Sequence, residues 1–180
     1  MSWGRLSTRV AYENRWIRVR EDAVVRPDGQ EGIYGVVEMQ SPAVFVVALT
    51  EADEVVLVEQ QRYTTGLRSI EVPAGASDGE EPLVAAQREL REETGLRAAT
   101  WRSLGKMMAL NGIADATELV FLATELSDAE EGDERAAEGI TDVLRVPFAE
   151  VLRMVRDGEI NDGETIAALA LAGIALGRFA

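Results

Sequence analysis

Apolar Ile17 and Val19 alternate with Arg18 and Arg20, a period-two pattern that predicts a half-buried strand, prolonged by Val24 and Val25. Pro27-Asp28-Gly29 predicts a turn, and Ile33 to Met39 the returning strand, which Ser41-Pro42 ends. Ala43 to Leu49 is apolar throughout, as in a strand buried on both faces. Ala52-Asp53-Glu54 turns the chain into another strand, Val55 to Val58, and Arg68 to Val72 precedes a break at Pro73-Ala74-Gly75. Beyond a loop rich in Gly, Asp and Glu, the period lengthens. Leu83, Ala86 and Leu90, with Ala85, recur at helical spacing between Pro82, which suits a first turn, and Gly95, which suits a stop. Trp101 to Ala109 and Thr117 to Ala123 predict strands joined through Asn111-Gly112. Glu125 to Gly139 is acidic and without a strong period, which predicts a loop with a short helical turn at most. Ile140 to Val146 predicts a last strand. Phe148, Val151, Leu152 and Val155 share one helix face that Gly158 ends, and Asn161 with Glu164 forms a capping-box pattern before a final helix, Thr165 to Leu176. Hairpins come first, and no βαβ alternation follows, so the expected class is α+β with a mixed sheet.

Composition narrows the chemistry. A chain of 180 residues suits one domain with a small extension. The absence of Cys rules out disulfides, thiolate nucleophiles and Cys-held metals, and the absence of His rules out an imidazole base and histidine zinc sites. Lys106 is the only lysine. Acid–base work therefore falls to carboxylates, and the metals that fit are oxygen-seeking ones. A formal charge of −14 argues against nucleic acid or an anionic membrane as partner. The first twenty residues lack the apolar stretch of a signal peptide, and Ile166 to Leu176 is too short to span a bilayer, so a cytoplasmic protein is expected.

Glu89, Glu92 and Glu93 stand at i, i+3 and i+4, on one face of the predicted helix. Such a triplet alone is ordinarily a solvated face. A divalent cation would turn its mutual repulsion into coordination, and a Gly-rich loop beside it would let backbone carbonyls approach.

The wider segment decides between these readings. From Glu80, seven residues lead to Arg88-Glu89-Leu90, then Arg91, Glu92-Glu93, Thr94 and Gly95-Leu96. This resembles the Nudix box, G-x5-E-x7-R-E-U-x-E-E-x-G-U with U aliphatic; a chance match of its last eight fixed positions is on the order of one in a million. Four residues rather than five separate Gly75 from Glu80. Glu59-Gln60-Gln61-Arg62-Tyr63 and Glu71-Val72-Pro73-Ala74-Gly75 resemble patterns of the ADP-ribose pyrophosphatase-like or nucleoside diphosphate sugar hydrolase subfamily, with Gln61 in place of a Tyr.

The resemblance implies a Nudix α/β/α sandwich with a mixed central sheet over residues 42–180, preceded by an N-terminal antiparallel β extension over 1–41 that serves dimerisation. It implies Mg²⁺-dependent hydrolysis of the pyrophosphate in ADP-ribose or another nucleoside diphosphate sugar, Mn²⁺ being the alternative metal. The Ala74 carbonyl, Glu89, Glu92 and Glu93 are the implied metal ligands, and Arg88 orients those glutamates. Arg62, held by Glu71, is implied to contact substrate, Glu80 to support the loop, and Trp16 to stack on the base; for Tyr34, core packing is the better reading. The implied general base is a glutamate of the 125–139 loop, Glu138 first and Glu134 second. A homodimer is expected. The competing reading is a non-catalytic nucleotide-sugar sensor, which would have no need of the full carboxylate set. RNA decapping is disfavoured by charge.

Overall fold

The structure, a computed structural model, describes residues 2–132 and 134–179. Strands β1 (Gly4–Glu13), β2 (Ile17–Val25) and β3 (Glu31–Met39) form an antiparallel meander, and β9 (Ala114–Asp115) joins β3 in parallel. The hydropathy pattern does not announce β1. All ten of its residues are exposed, and irregularities between Arg5 and Ser7 and between Val10 and Tyr12 break its period. No buried face imposes an alternation there.

The central sheet runs β11-β5-β4-β10-β8, built from β4 (Ala43–Leu49), β5 (Glu54–Gln61), β8 (Leu96–Met108), β10 (Thr117–Asp128) and β11 (Ile140–Pro147). The pair β4–β10 is parallel and its other neighbours are antiparallel, so the sheet is mixed. Strands β4 and β5 pair directly at Ala48–Val56 and Leu49–Val55, then part. Short strands β6 (Arg68–Glu71), on β5, and β7 (Ala74–Ala76), on β4, line the split.

Helix α1 (Pro82–Thr94) covers one face, setting Ala85, Ala86 and Leu90 against Val44, Val46, Val56 and Phe121. Leu90 is wholly buried, a contribution of roughly 2 kcal/mol. Helices α3 (Phe148–Arg156) and α4 (Gly163–Ala175) cover the other face, where Phe148, Val151, Leu169 and Ala172 meet Phe45, Val47, Leu57 and Val120. This is the expected sandwich.

Three expectations are corrected. Strand β8 begins at Leu96, directly after Gly95, rather than at Trp101. Strand β10 continues to Asp128, so the first part of the predicted 125–139 loop is strand, with Leu126 opposite Ala98 and Asp128 opposite Leu96. Arg97, Glu125 and Ser127 are exposed in this stretch, and Glu125 has φ 59°, which hides the alternation. Helix α4 is capped by Asp162, whose carboxylate accepts from the Thr165 N–H at 2.7 Å, so the Asn161–Glu164 box does not form. Short helix α2 (Arg135–Glu138) supplies the expected helical turn.

Candidate active site

The box loop folds with its missing residue absorbed in a tight turn. Asp78 (φ 47°) and Gly79 (φ 85°) are both left-handed, and the Glu80 N–H donates to the Ser77 carbonyl at 2.8 Å. That is the two-residue turn an Asp-Gly pair favours. It leaves Ala74–Ala76 paired with β4 and returns Glu80 to Arg88 at 2.8 Å.

Helix α1 begins at Pro82 behind Glu81, whose side chain accepts from the Leu83 N–H, and ends at Gly95 (φ 71°). It carries Glu89, Glu92 and Glu93 toward the split in the sheet. The Ala74 N–H donates to Glu93 Oε2 at 2.9 Å. An extended residue presents its N–H and C=O to the same edge, so the Ala74 carbonyl also faces the helix. Arg88 braces the group: Nε donates to Glu80 (2.8 Å), Nη1 to Glu89 (2.8 Å) and Glu92 (2.9 Å), and Nη2 to the Ala76 carbonyl (2.8 Å).

Gly75 is what permits this approach. A Cβ there would lie 2.1 Å from Glu89 Oε1. Since the obstacle is the end of a flexible side chain, Gly75→Ala should fold with a near-normal Tm yet displace the Glu89 carboxylate. Activity should fall at least about tenfold, with the half-saturating metal concentration raised; unchanged metal dependence would count against a working role for Glu89.

Burial governs the electrostatics. Glu89 and Glu93 are 6% and 4% exposed. Burial pushes the Glu93 carboxyl up to about 8, against the Ala74 N–H, which stabilises its charge. Burial likewise raises Glu89, against Arg88. Glu138 adds to both upward shifts, so the α2 end lies within electrostatic reach of both box glutamates. Strand β10 leads into α2, which is moored where the Glu134 N–H donates to the Glu92 carbonyl at 2.9 Å.

Across the split, Arg62 binds Glu71 with two of its nitrogens, and Glu71 is 3% exposed. Arg62 also feels the charges of Glu93 and Asp162, so this pair borders the box cluster. Trp16 stands apart. It is exposed at the β1–β2 turn, with the Arg15 guanidinium 4.5 Å from its ring centroid. The Tyr34 hydroxyl donates to the Gly112 carbonyl at 2.5 Å, and its ring meets Trp3 edge-on.

The donor set suits a hard divalent cation: carboxylates, a backbone carbonyl facing them, a cradle that only glycine leaves open, and a buried Glu93 carboxyl with no ion pair of its own among the described residues. Among the described residues, no three acidic side chains already converge in a cage, because the guanidinium of Arg88 holds Glu89 and Glu92.

Sequence reasoning missed Glu118. It is 7% exposed, and no described group donates a hydrogen bond to its carboxylate. Burial, then Glu164 and Asp162, pushes its carboxyl up to about 7. The signal available was a lone charge opening the otherwise apolar run Glu118 to Ala123. With a folded value above the unfolded one, Glu118 contributes stability that is present below about 4.5 and lost as pH rises through about 7. Glu118→Gln should therefore raise the ligand-free Tm at pH 8 by about 3 °C or more and change it little at pH 4.5. A pH-independent effect would count against this.

Comparison with known proteins agrees with this architecture. Residues 39–169 match the family model described as NUDIX domain, and residues 3–37 match that of the nucleoside diphosphate sugar hydrolase N-terminal domain. The chain belongs to the Nudix family and is a Nudix hydrolase. It is 34% identical over 171 residues to an ADP-ribose pyrophosphatase of Mycobacterium tuberculosis, covering 94% of this chain and 80% of that one. It is 36% identical over 127 residues to a GDP-mannose pyrophosphatase of Escherichia coli, covering 64% of each. The crystal structure of an ADP compounds hydrolase superimposes with a TM-score of 0.85 over 98% of this chain and 95% of that one, at 23% identity, a likeness of fold.

Proposed function

We propose that this protein hydrolyses the pyrophosphate of ADP-ribose or another nucleoside diphosphate sugar with Mg²⁺, or Mn²⁺ in its place. The products are a nucleoside monophosphate and a sugar phosphate. The observation that carries this reading is the meeting of Glu89, Glu92, Glu93 and the Ala74 edge on one side of the sheet split, bordered by Arg62 and within electrostatic reach of Glu138. A bound divalent cation would neutralise these carboxylates and polarise the phosphate oxygens. Glu89, Glu92, Glu93 and the Ala74 carbonyl hold it, and Arg88 fixes their positions without touching substrate. Arg62, kept extended by Glu71, meets the phosphate or sugar, and Trp16 supplies a stacking face for the base. Glu138 takes the proton of the attacking water; Glu134 is the second candidate. Relatives that act on ADP-ribose and GDP-mannose, by their names, support the substrate class.

The test is product release from a panel of nucleoside diphosphate sugars with Mg²⁺, with Mn²⁺, and with EDTA. Turnover that EDTA abolishes is expected. Tight binding of these compounds without turnover would replace the hydrolase by a nucleotide-sugar sensor.

The same proposal makes residues 1–41 a dimerisation extension of a cytoplasmic homodimer, with 42–180 as the hydrolase domain. Strand β1 is an edge strand, exposed throughout, and it carries Leu6, Val10 and Tyr12 at more than half exposure. Such an edge invites a partner. Light scattering should give twice the chain mass, and Leu6→Asp with Val10→Asp should give a monomer. A wild-type monomer with full activity would remove the dimer.

A further inference from the structure

Between β6 and β7 the chain passes through Val72 and Pro73, two buried residues that belong to neither strand. This link joins the two halves of the candidate site. Before it, Glu71 pairs with Val58 of β5 and holds Arg62. After it, Ala74 pairs with Phe45 of β4 and donates to Glu93. A buried link outside the strands must still satisfy its backbone. Proline has no N–H, so the link has one donor to place, that of Val72. The Pro73 carbonyl accepts from the Val46 N–H at 2.9 Å. The Val72 N–H donates to Thr165 Oγ1 at 3.2 Å, a partner 93 residues away along the chain.

Thr165 is itself fixed. It sits in the first turn of α4, wholly buried, and its own N–H donates to the capping Asp162 carboxylate. A β-branched side chain in a helix has little freedom at χ1, so the cap sets the backbone and the backbone sets Oγ1. The buried side chains that follow it on the helix, Ala168, Leu169 and Ala172, are apolar. Valine would fill the same space as Thr165, so packing does not account for the hydroxyl, and the Val72 N–H does. The start of α4 also borders the Arg62–Glu71 pair through charge, Asp162 acting on Arg62 and Glu164 on Glu71.

Resting on the hydrolase reading, we propose that Thr165 is a positioning residue, whose one hydrogen bond to Val72 keeps both the Ala74 carbonyl and the Arg62–Glu71 pair in their working places. It touches neither metal nor substrate. Without the hydroxyl the Val72 N–H is buried and unpaired, a cost the chain relieves by turning that peptide toward another acceptor. The Pro73 ring fixes one torsion of the link and restricts Val72 before it. A turn at Val72 is therefore passed on to Glu71 and Ala74 rather than absorbed between them.

The experiment compares the wild type with Thr165→Val, which keeps the shape and removes the acceptor, and with Thr165→Ser, which keeps the acceptor. Three quantities are read: binding of Mn²⁺ alone by calorimetry, exchange of the Val72 amide by NMR, and kinetics with ADP-ribose and GDP-mannose at saturating Mg²⁺. Thr165→Val should raise the Mn²⁺ dissociation constant about tenfold. It should also raise KM about fivefold and speed exchange at Val72. Thr165→Ser should restore all three. Thr165→Ala gives the same readings should valine prevent folding. Ala172→Gly, two turns further along α4 and also wholly buried, should lower Tm yet leave Mn²⁺ binding and KM at their wild-type values. Wild-type Mn²⁺ affinity and KM in Thr165→Val, or an equal rise of both in Ala172→Gly, would overturn the positioning role and leave the hydrolase reading standing. Weakened Mn²⁺ binding in Thr165→Val, beside a wild type that turns over no nucleoside diphosphate sugar, would do the reverse.

Discussion

Glu93→Gln should lower kcat by about a hundred- to a thousandfold while leaving the fold intact. Glutamine keeps the size of the side chain and an oxygen to accept the Ala74 N–H. What it lacks is a negative charge in a place where 4% exposure leaves no water to substitute for it. Stability should move the other way. In metal-free protein the Glu93 carboxyl, pushed up to about 8, contributes stability that is present below about 4.5 and lost as pH rises through about 8. The metal-free variant should therefore melt at or above the wild-type temperature at pH 9. A loss of activity joined to a higher Tm separates a working carboxylate from a structural one. Near-normal turnover would take Glu93 out of the site, and a sharply lowered Tm would make it a packing residue.

Glu138→Gln should lower kcat about a hundredfold and KM little, and Glu130→Gln should change neither. The water attacking phosphorus must lose a proton, and a chain without histidine leaves that to a carboxylate. The mooring of α2 on α1, through Glu134 N–H and the Glu92 carbonyl, keeps Glu138 near Glu89 and Glu93 before any substrate arrives. A closing movement of α2 over bound substrate would bring Glu138 to the attacking water. Glu134 makes that mooring with its backbone N–H, whereas Glu138 is a charge that adds to the upward shifts of both Glu89 and Glu93. A crippled Glu134→Gln beside a silent Glu138→Gln would shift the base by one helical turn. Tolerance of both substitutions would return the proton to the box carboxylates.

The box helix was legible because its punctuation is local. Pro82 and Gly95 act through their own backbone angles, and Ala85, Ala86 and Leu90 report a single buried face. Strand β4 was legible because burial on both faces forces every position to be apolar. Legibility failed where the outcome depends on partners distant in sequence. Strand β1 buries nothing of its own and exists through its pairing with β2. The end of β10 is held by its pairing with β8 at Ala98 and Leu96, with no pattern of its own to mark it. At α4, Asn161 and Asp162 are both capping residues, and only the geometry of the turn chooses Asp162. In the site, the box glutamates were visible through spacing. The short loop showed as a departure, and the Asp-Gly pair that resolves it was present in the sequence as a turn signal. Glu118 was overlooked because what acts on it, Asp162 and Glu164 at the start of α4, lies more than forty residues away along the chain.

The junction of β3 with the segment that follows β8 is held by few bonds among the described residues. The two residues of β9 meet β3 at Val37 and Glu38, supported by the Val37 N–H to the Ile113 carbonyl and by Tyr34 on Gly112. Contacts between segments so far apart along the chain form late in folding and open early in native-state fluctuations. Amide hydrogens at this junction should thus exchange with solvent well before those of β4 and β5. The N-terminal sheet should therefore loosen from its neighbour while the central sheet stays closed, with Val37 and Ala114 reporting the opening first.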